Sequence, residues 1–155
     1  MLARMTQPDA IMTRMGEGLA LSQQGQRDAA RTLWEELWAS VGQEGDSLHR
    51  CALAHHLADV QDDPAAELDW DLRALEAADA LSGERAAEAG VASVAVLYPS
   101  LHLNLGDVYL RLGDMAAAWQ HLEAGTTAAA ALADDGYGAM IKRGLQGLRE
   151  RLNAR

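Results

Sequence analysis

Apolar residues recur along the chain at steps of three and four, the spacing of one face of an α-helix. Leu101, Leu105, Val108 and Leu112 form one such stripe, and Tyr137, Ile141, Leu145, Leu148 and Leu152 form another. Turn signals punctuate the stripes: "QQGQ" at 23–26, "GQEGD" at 42–46, "QDDP" at 61–64, "SGE" at 82–84, "LGD" at 112–114 and "DDGYG" at 134–138. Between them the pattern predicts helices over about 8–23, 27–41, 47–60, 64–80, 84–112, 115–132 and 136–153. Asp63 before Pro64 reads as an N-cap followed by a first-turn proline, and Asp46 can cap the helix that starts near Ser47. The segment 84–112 is long for one helix and contains Pro99, which predicts a kink or a break near Tyr98. Only "VASVAVLY" (91–98) has strand-like composition, and its surroundings are helical. The fold class is all-α.

The pairs of helices share an internal pattern. When the turn glycine Gly25 is set on Gly113, Gly18 falls on Gly106, Leu21 on Tyr109, Ala30 on Ala118 and Trp34 on Leu122. A middle unit aligned on Gln61 puts Ala54, Leu57, Ala66 and Trp70 at the same places. Small, large, small, large is what two close-packed antiparallel helices need: the small residue admits the neighbour and the bulky one fills the gap beside it. Gly25 and Gln61 are 36 residues apart, and Gln61 and Gly113 are 52 apart. The first step lies near the repeat length of ~34 residues for tetratricopeptide units. The second implies an insertion, placed at 84–98.

On these residues the stretch 102–125, "HLNLGDVYLRLGDMAAAWQHLEAG", resembles a tetratricopeptide repeat, through Leu105, Gly106, Tyr109, Ala118 and Leu122. His102 stands where the family prefers tryptophan, and Ala130 stands where a proline would end the unit. The resemblance implies a right-handed superhelical solenoid of antiparallel helix pairs in one domain spanning 1–155. Its pairs would lie at about 8–41, 47–80 and 84–132, with a capping helix at 136–153. A stack of this kind buries no face in a lone unit and needs a polar cap at its end, for which Lys142, Arg143, Arg149, Glu150 and Arg151 are suited. The resemblance also implies a concave groove lined by the first helix of each pair. That lining would be Met12, Met15, Leu19 and Gln23, then Leu48, Cys51, His55 and Asp59, then Leu103, Asp107, Leu110 and Arg111. Family members that clamp a carboxylate tail use lysine, arginine and asparagine on these helices. Met15, Leu19, Ala52, Ser100 and Asn104 stand there instead, none of them basic, so that clamp is not expected.

Composition narrows the partners. The formal charge is −10, with 23 acidic residues against 13 lysines and arginines, which argues against nucleic acid and against anionic lipid. Lys142 is the only lysine, a bias that fits a GC-rich bacterial genome. The single cysteine, Cys51, allows no intrachain disulfide and suits a reducing compartment. "MLARMTQPDAIM" lacks the apolar core and cleavage site of a secretory leader, and no run of ~18 apolar residues is present, so the cytoplasm is the expected location.

Candidate chemistry is thin. Cys51, His55 and Asp59 follow one another at steps of four and so share a helical face, a trio that could ligate zinc. No second ligand pair accompanies them, so neither a metal nor a cofactor is expected. Cys51 reads better as a small buried apolar residue than as a nucleophile. The acidic run Asp59, Asp62, Asp63, Glu67, Asp69 and Asp71 reads as a solvated face around a turn and a helix start. Trp34, Trp38, Trp70 and Trp119 read as packing residues. The expected function is therefore non-catalytic: an adaptor or regulatory module that binds a protein or peptide in the groove. Met12, Met15, Leu19 and Leu103 would supply the apolar stripe, and Asp59, Asp107 and Arg111 would set polarity and register. The alternatives are a homodimer that buries the groove in itself and, further off, a small metal-binding helical enzyme.

Overall fold

The computed structural model describes residues 9–155. Residue 8, where the first helix is expected to begin, and most of the stretch read for a leader lie outside the described residues. Within them the chain is helical throughout, with no strand. Eight α-helices follow in order: α1 (Ala10–Gln23), α2 (Arg27–Val41), α3 (Ser47–Asp59), α4 (Pro64–Ala80), α5 (Gly83–Glu88), α6 (Tyr98–Leu112), α7 (Met115–Ala128) and α8 (Gly136–Asn153). Short 3-10 turns occupy Val94–Leu97 and Ala129–Ala131. No helix is long and apolar enough to cross a membrane among the described residues.

Side chains fix most of the helix starts. Asp9, Asp46, Asp63, Ser82, Asp114 and Asp135 each accept a hydrogen bond from a backbone N–H of the first turn. Each such cap satisfies a donor that the helix itself leaves without a partner. The turns after α1 and α6 are closed by Gly25 and Gly113 at φ 80° and 87°. Gln26 N–H reaches back to the Leu21 carbonyl at 2.9 Å, and Asp114 N–H to the Tyr109 carbonyl at 2.9 Å, the wrap that a left-handed residue permits. The turn after α3 has no glycine and is closed differently. Arg27 and Arg31 of α2 donate to the Gln61 and Val60 carbonyls, while Gln61 Nε2 donates to the Leu57 carbonyl at 2.9 Å.

Packing follows chain order. α1 lies on α2, α3 on α4 and α6 on α7, while α2 meets α3, α4 meets α6, and α8 rests on both α6 and α7. The small-and-large pattern is realised where the glycines are. Gly18 lies against the indole of Trp34, and Gly106 lies against the Ala118 carbonyl, the Leu122 amide and the Leu148 side chain. The middle pair departs from it: Ala54 is buried, but Trp70 stays partly exposed and meets Trp38 edge-on at 5.0 Å, with the Arg73 guanidinium 4.4 Å from its ring centre. Trp119 is also partly exposed and carries Arg149 at 5.8 Å.

The helix expected over 84–112 is broken. α5 stops at Glu88, Gly90 takes φ 79°, and Val91 N–H turns back to the Ala86 carbonyl at 2.9 Å. Val91, Val94 and Leu97 then pack on Leu48, Leu81 and Ala86, so the segment leaves the helical path to cover apolar surface. Of the kink or break expected near Tyr98 the structure has a break: α6 starts at Tyr98, with Pro99 in its first turn where no amide donor is required. Arg85 ties this excursion to the helix starts, with Nε donating to Asp46 at 2.7 Å and a guanidinium nitrogen 3.7 Å from Asp9.

Candidate functional site

Two adjoining clefts open between α3, α6 and the start of α8, and they share His55, Ser100 and Tyr137. The smaller, about 190 Å³, runs over Leu48, Cys51, Ala52, His56, Leu97 and Leu101. The larger, about 360 Å³, runs over Asp59, Leu103, Asn104, Met140, Ile141 and Gly144. Helical spacing explains the α3 side: residues 48, 51, 52, 55 and 59 fall on one face at steps of three and four. On α6, residues 100, 101 and 104 do the same, with Leu97 just ahead of its first turn. α8 supplies the rim, where Tyr137 and Met140 are 49% and 51% exposed although both are large and apolar.

Only part of the expected groove is assembled here. Cys51, His55, Asp59 and Leu103 line the clefts. Met12, Leu19 and Gln23 are exposed on α1 outside both clefts, while Met15 is buried under Trp34 and Leu37. Leu48 also lines the smaller cleft, although it and Leu110 are largely buried in core clusters. Leu103 is partly covered by α8, which approaches it so closely that a Cβ on Gly144 would lie 2.6 Å from Leu103 Cδ2. Asp107 and Arg111, expected to set polarity, lie in one ion-pair network. Arg111 donates to Asp107 at 3.0 Å and to Glu67 of α4 at 2.7 Å, and Arg151 of α8 donates to Asp107 at 2.6 Å.

The ionisable groups divide into neutral and charged sets. Burial pushes the Cys51 thiol up to about 11, which leaves it protonated and a poor nucleophile or ligand at neutral pH. Burial, assisted by the neighbouring His55, lowers His56 to about 4, so its ring is neutral where it stacks on Trp34 at 4.9 Å. Asn104 Nδ2 lies 3.3 Å from Nδ1 of His55. Asp59 is exposed, yet partial enclosure by the surrounding helices raises its carboxyl above the ordinary value, against the attraction of His55. No group of three or more His, Cys, Asp or Glu side chains is placed to hold a metal ion among the described residues.

The acidic run is not wholly a solvated face. Asp71, on α4, is 1% exposed, and neither of its carboxylate oxygens has a hydrogen-bond partner. Burial raises its carboxyl to about 8, reinforced by the charges of Glu67, Asp59 and Asp107 and opposed by Arg111. The helix-start explanation fails for this residue because it lies a full two turns into α4, where its face turns toward α3 and α6.

His56, Tyr137 and Met140 are cleft residues that the sequence pattern does not mark, whereas Ser100 and Asn104 stand at the clamp positions of the expected groove. Ser100 and Asn104 were visible as α6 positions one turn apart on the face that carries Leu97 and Leu101. Tyr137 heads the apolar stripe of 137–152 and stands at the exposed N-terminal end of α8, ahead of the point where α8 meets the core at Ile141. Comparison of the chain with protein-family models, with curated proteins and with solved structures found no match.

Proposed function

We propose that the chain is a tetratricopeptide-like stack of three helix pairs and a closing helix, and that it binds a protein or peptide segment in the α3–α6–α8 cleft without catalysing a reaction. The observation that carries this reading is the placement of Tyr137 and Met140. Two large apolar side chains stand half exposed at the rim of a cleft whose floor mixes apolar surface with His55, Asp59, Ser100 and Asn104. An apolar rim over a few placed polar groups suits side-chain recognition. The order of helix contacts supports the stacking, since the second helix of each pair meets the first of the next, α2 on α3 and α4 on α6, and α8 follows on α6 and α7. The buried, protonated Cys51 is not poised to act as a nucleophile.

Selection from a displayed random-peptide library tests the proposal. Wild type and a Tyr137→Ala/Met140→Ala variant would be compared after their melting temperatures are matched. Peptides enriched by wild type and lost by the variant support the cleft. Equal enrichment by both removes it. Sedimentation of wild type across concentrations supplies the rival answer, because a dimer that dissociates in the variant would mean that a second copy covers the rim.

A further inference from the structure

The charge around the cleft says which kind of peptide it suits. Neither opening is lined by a lysine or arginine, and Asp59 is the one carboxylate in the lining. Asp59 has no ion-pair partner among the described residues, whereas the nearby guanidinium groups of Arg111 and Arg151 are already taken by Glu67 and Asp107. Behind Asp59 lies Asp71, nine-tenths buried and more, with both oxygens unpartnered and within the electrostatic reach of Asp59, Glu67 and Asp107. With the Asp71 carboxyl held neutral by burial, Asp59, Glu67 and Asp107 still outnumber the two arginines at this end of the cleft, and Asp59 is the acid left without a cation in a partly dry place where charge acts strongly.

We propose, resting on the peptide-binding reading, that the larger cleft receives a lysine or arginine side chain of an otherwise apolar peptide segment, with Asp59 as its counter-charge. The walls fit such a side chain along its length. Leu103, Ile141 and Met140 offer apolar surface to the methylene stem, as long basic side chains require when they cover apolar surface and keep the charged head polar. The exposed ring of Tyr137 offers a face to the cation, and the Asn104 side-chain oxygen is a neutral acceptor one helix away. The flanking apolar residues of the peptide would lie over Met140, Leu97 and Ala52. An acidic peptide meets no cation in this lining, and a metal ion meets no third ligand.

The proposal carries a proton linkage. A cation beside Asp59 favours the ionised form of Asp71, so docking releases a proton and binding tightens as pH rises through about 8. The groups that face Asp71 are Asp59 with its neighbour His55 on α3, Glu67 on α4, and Asp107 and Arg111 on α6.

The test uses the full chain and the same random-peptide library, adding Asp59→Asn and Asp71→Asn. The expected result is wild-type enrichment of peptides with lysine or arginine beside apolar residues. Their affinity should fall about tenfold in Asp59→Asn. It should rise severalfold between pH 6.5 and 9 in wild type and stay flat in Asp71→Asn. Peptides that need Tyr137 and Met140 but show no basic residue, or that ignore Asp59→Asn, would overturn the cation site and leave the peptide-binding reading standing. No peptide retained by wild type over the Tyr137→Ala/Met140→Ala variant would overturn both. A flat wild-type pH profile would overturn the linkage to Asp71, and Asp59 is exposed enough that its variant is not expected to disturb folding.

Discussion

A Cβ on Gly18 would lie 2.2 Å from Nε1 of Trp34, and that same nitrogen donates to the Met15 carbonyl at 3.2 Å. The indole therefore occupies the space a side chain would take and holds α1 through a hydrogen bond to its backbone. Trp34 is 1% exposed, so its N–H would be left without a partner if the two helices moved apart.

Gly18→Ala should accordingly lower stability by about 1–3 kcal/mol, the ordinary penalty for overpacking a filled core. Gly16 is the internal control. It is in the same helix, has nothing within 4 Å of a built Cβ, and should give about 0.5–1 kcal/mol of stabilisation as alanine. Urea unfolding followed by tryptophan fluorescence measures both. Equal effects at the two positions would contradict the packing account.

His56 gives the protein a weakness toward acid. Its folded pKa, about 4, lies below the ordinary 6.5, so the unfolded chain binds the extra proton first. Stability that is present above about 6.5 is lost as pH falls toward 4, at on the order of 1 kcal/mol per pH unit at most. His102 and His121, both lowered by burial, add to the loss in the same direction. His56→Phe keeps a ring against Trp34 and removes the titration. Its urea midpoint should fall less between pH 6.5 and 4.5 than that of wild type.

The all-helical class and most helix bounds were legible because period and punctuation agree. Asp46, Asp63 and Pro64 mark starts by their own chemistry, and Gly25 and Gly113 close the turns that follow α1 and α6. The break at Gly90 was also written in the sequence, but a run of helix-forming residues around it outweighed one glycine. What decided the matter was tertiary: Leu48, Leu81 and Ala86 leave apolar surface that Val91, Val94 and Leu97 cover. The cleft was half legible. Cys51, His55, Asp59 and Leu103 follow from one helical face each. Which of their neighbours stay open depends on where α8 lands, and no local pattern specifies that Leu103 meets Gly144 or that Arg151 reaches Asp107. Asp71 was hidden for the same reason. Its burial comes from α3 and α6 closing over α4, while in sequence it is one acid among several.

Gly90→Ala tests the break directly. The residue has φ 79°, where a Cβ costs about 1–2 kcal/mol, and nothing crowds the position otherwise. The substitution should destabilise the chain by that amount and speed amide exchange at Val91, whose N–H bond to Ala86 depends on the turn. Gly147→Ala, on α8 with open space around it and no such φ, should be neutral or stabilising. A stabilised Gly90→Ala protein would show that the longer helix is accessible after all.

Asp71 should make the protein lose stability as pH rises through a range where most proteins change little. Its folded pKa, about 8, lies above the ordinary 3.8, so between those values the native state holds a proton that the unfolded chain has released. Stability is then highest below 3.8 as far as this group is concerned and declines until pH passes about 8, after which the loss is complete. His56, His102 and His121 act the other way, but in the unfolded chain they lose their protons around 6.5, so their opposing effect fades by about 7.5 and Asp71 governs the slope above it. From about 7.5 to 8.5 the wild-type urea midpoint should fall, by on the order of 1 kcal/mol per pH unit at most, and Asp71→Asn should remove the slope. Asp71→Leu goes further, because replacing a partnerless buried carboxyl with an apolar group of similar size also lifts its desolvation penalty, so that variant should exceed wild type in stability at pH 8.5. A wild-type midpoint that stays constant from about 7.5 to 8.5, or one that falls equally in Asp71→Asn, would mean that the carboxyl finds a partner in solution. Asp71 would then be a carboxylate at neutral pH, and the proton that docking is expected to release would already be gone.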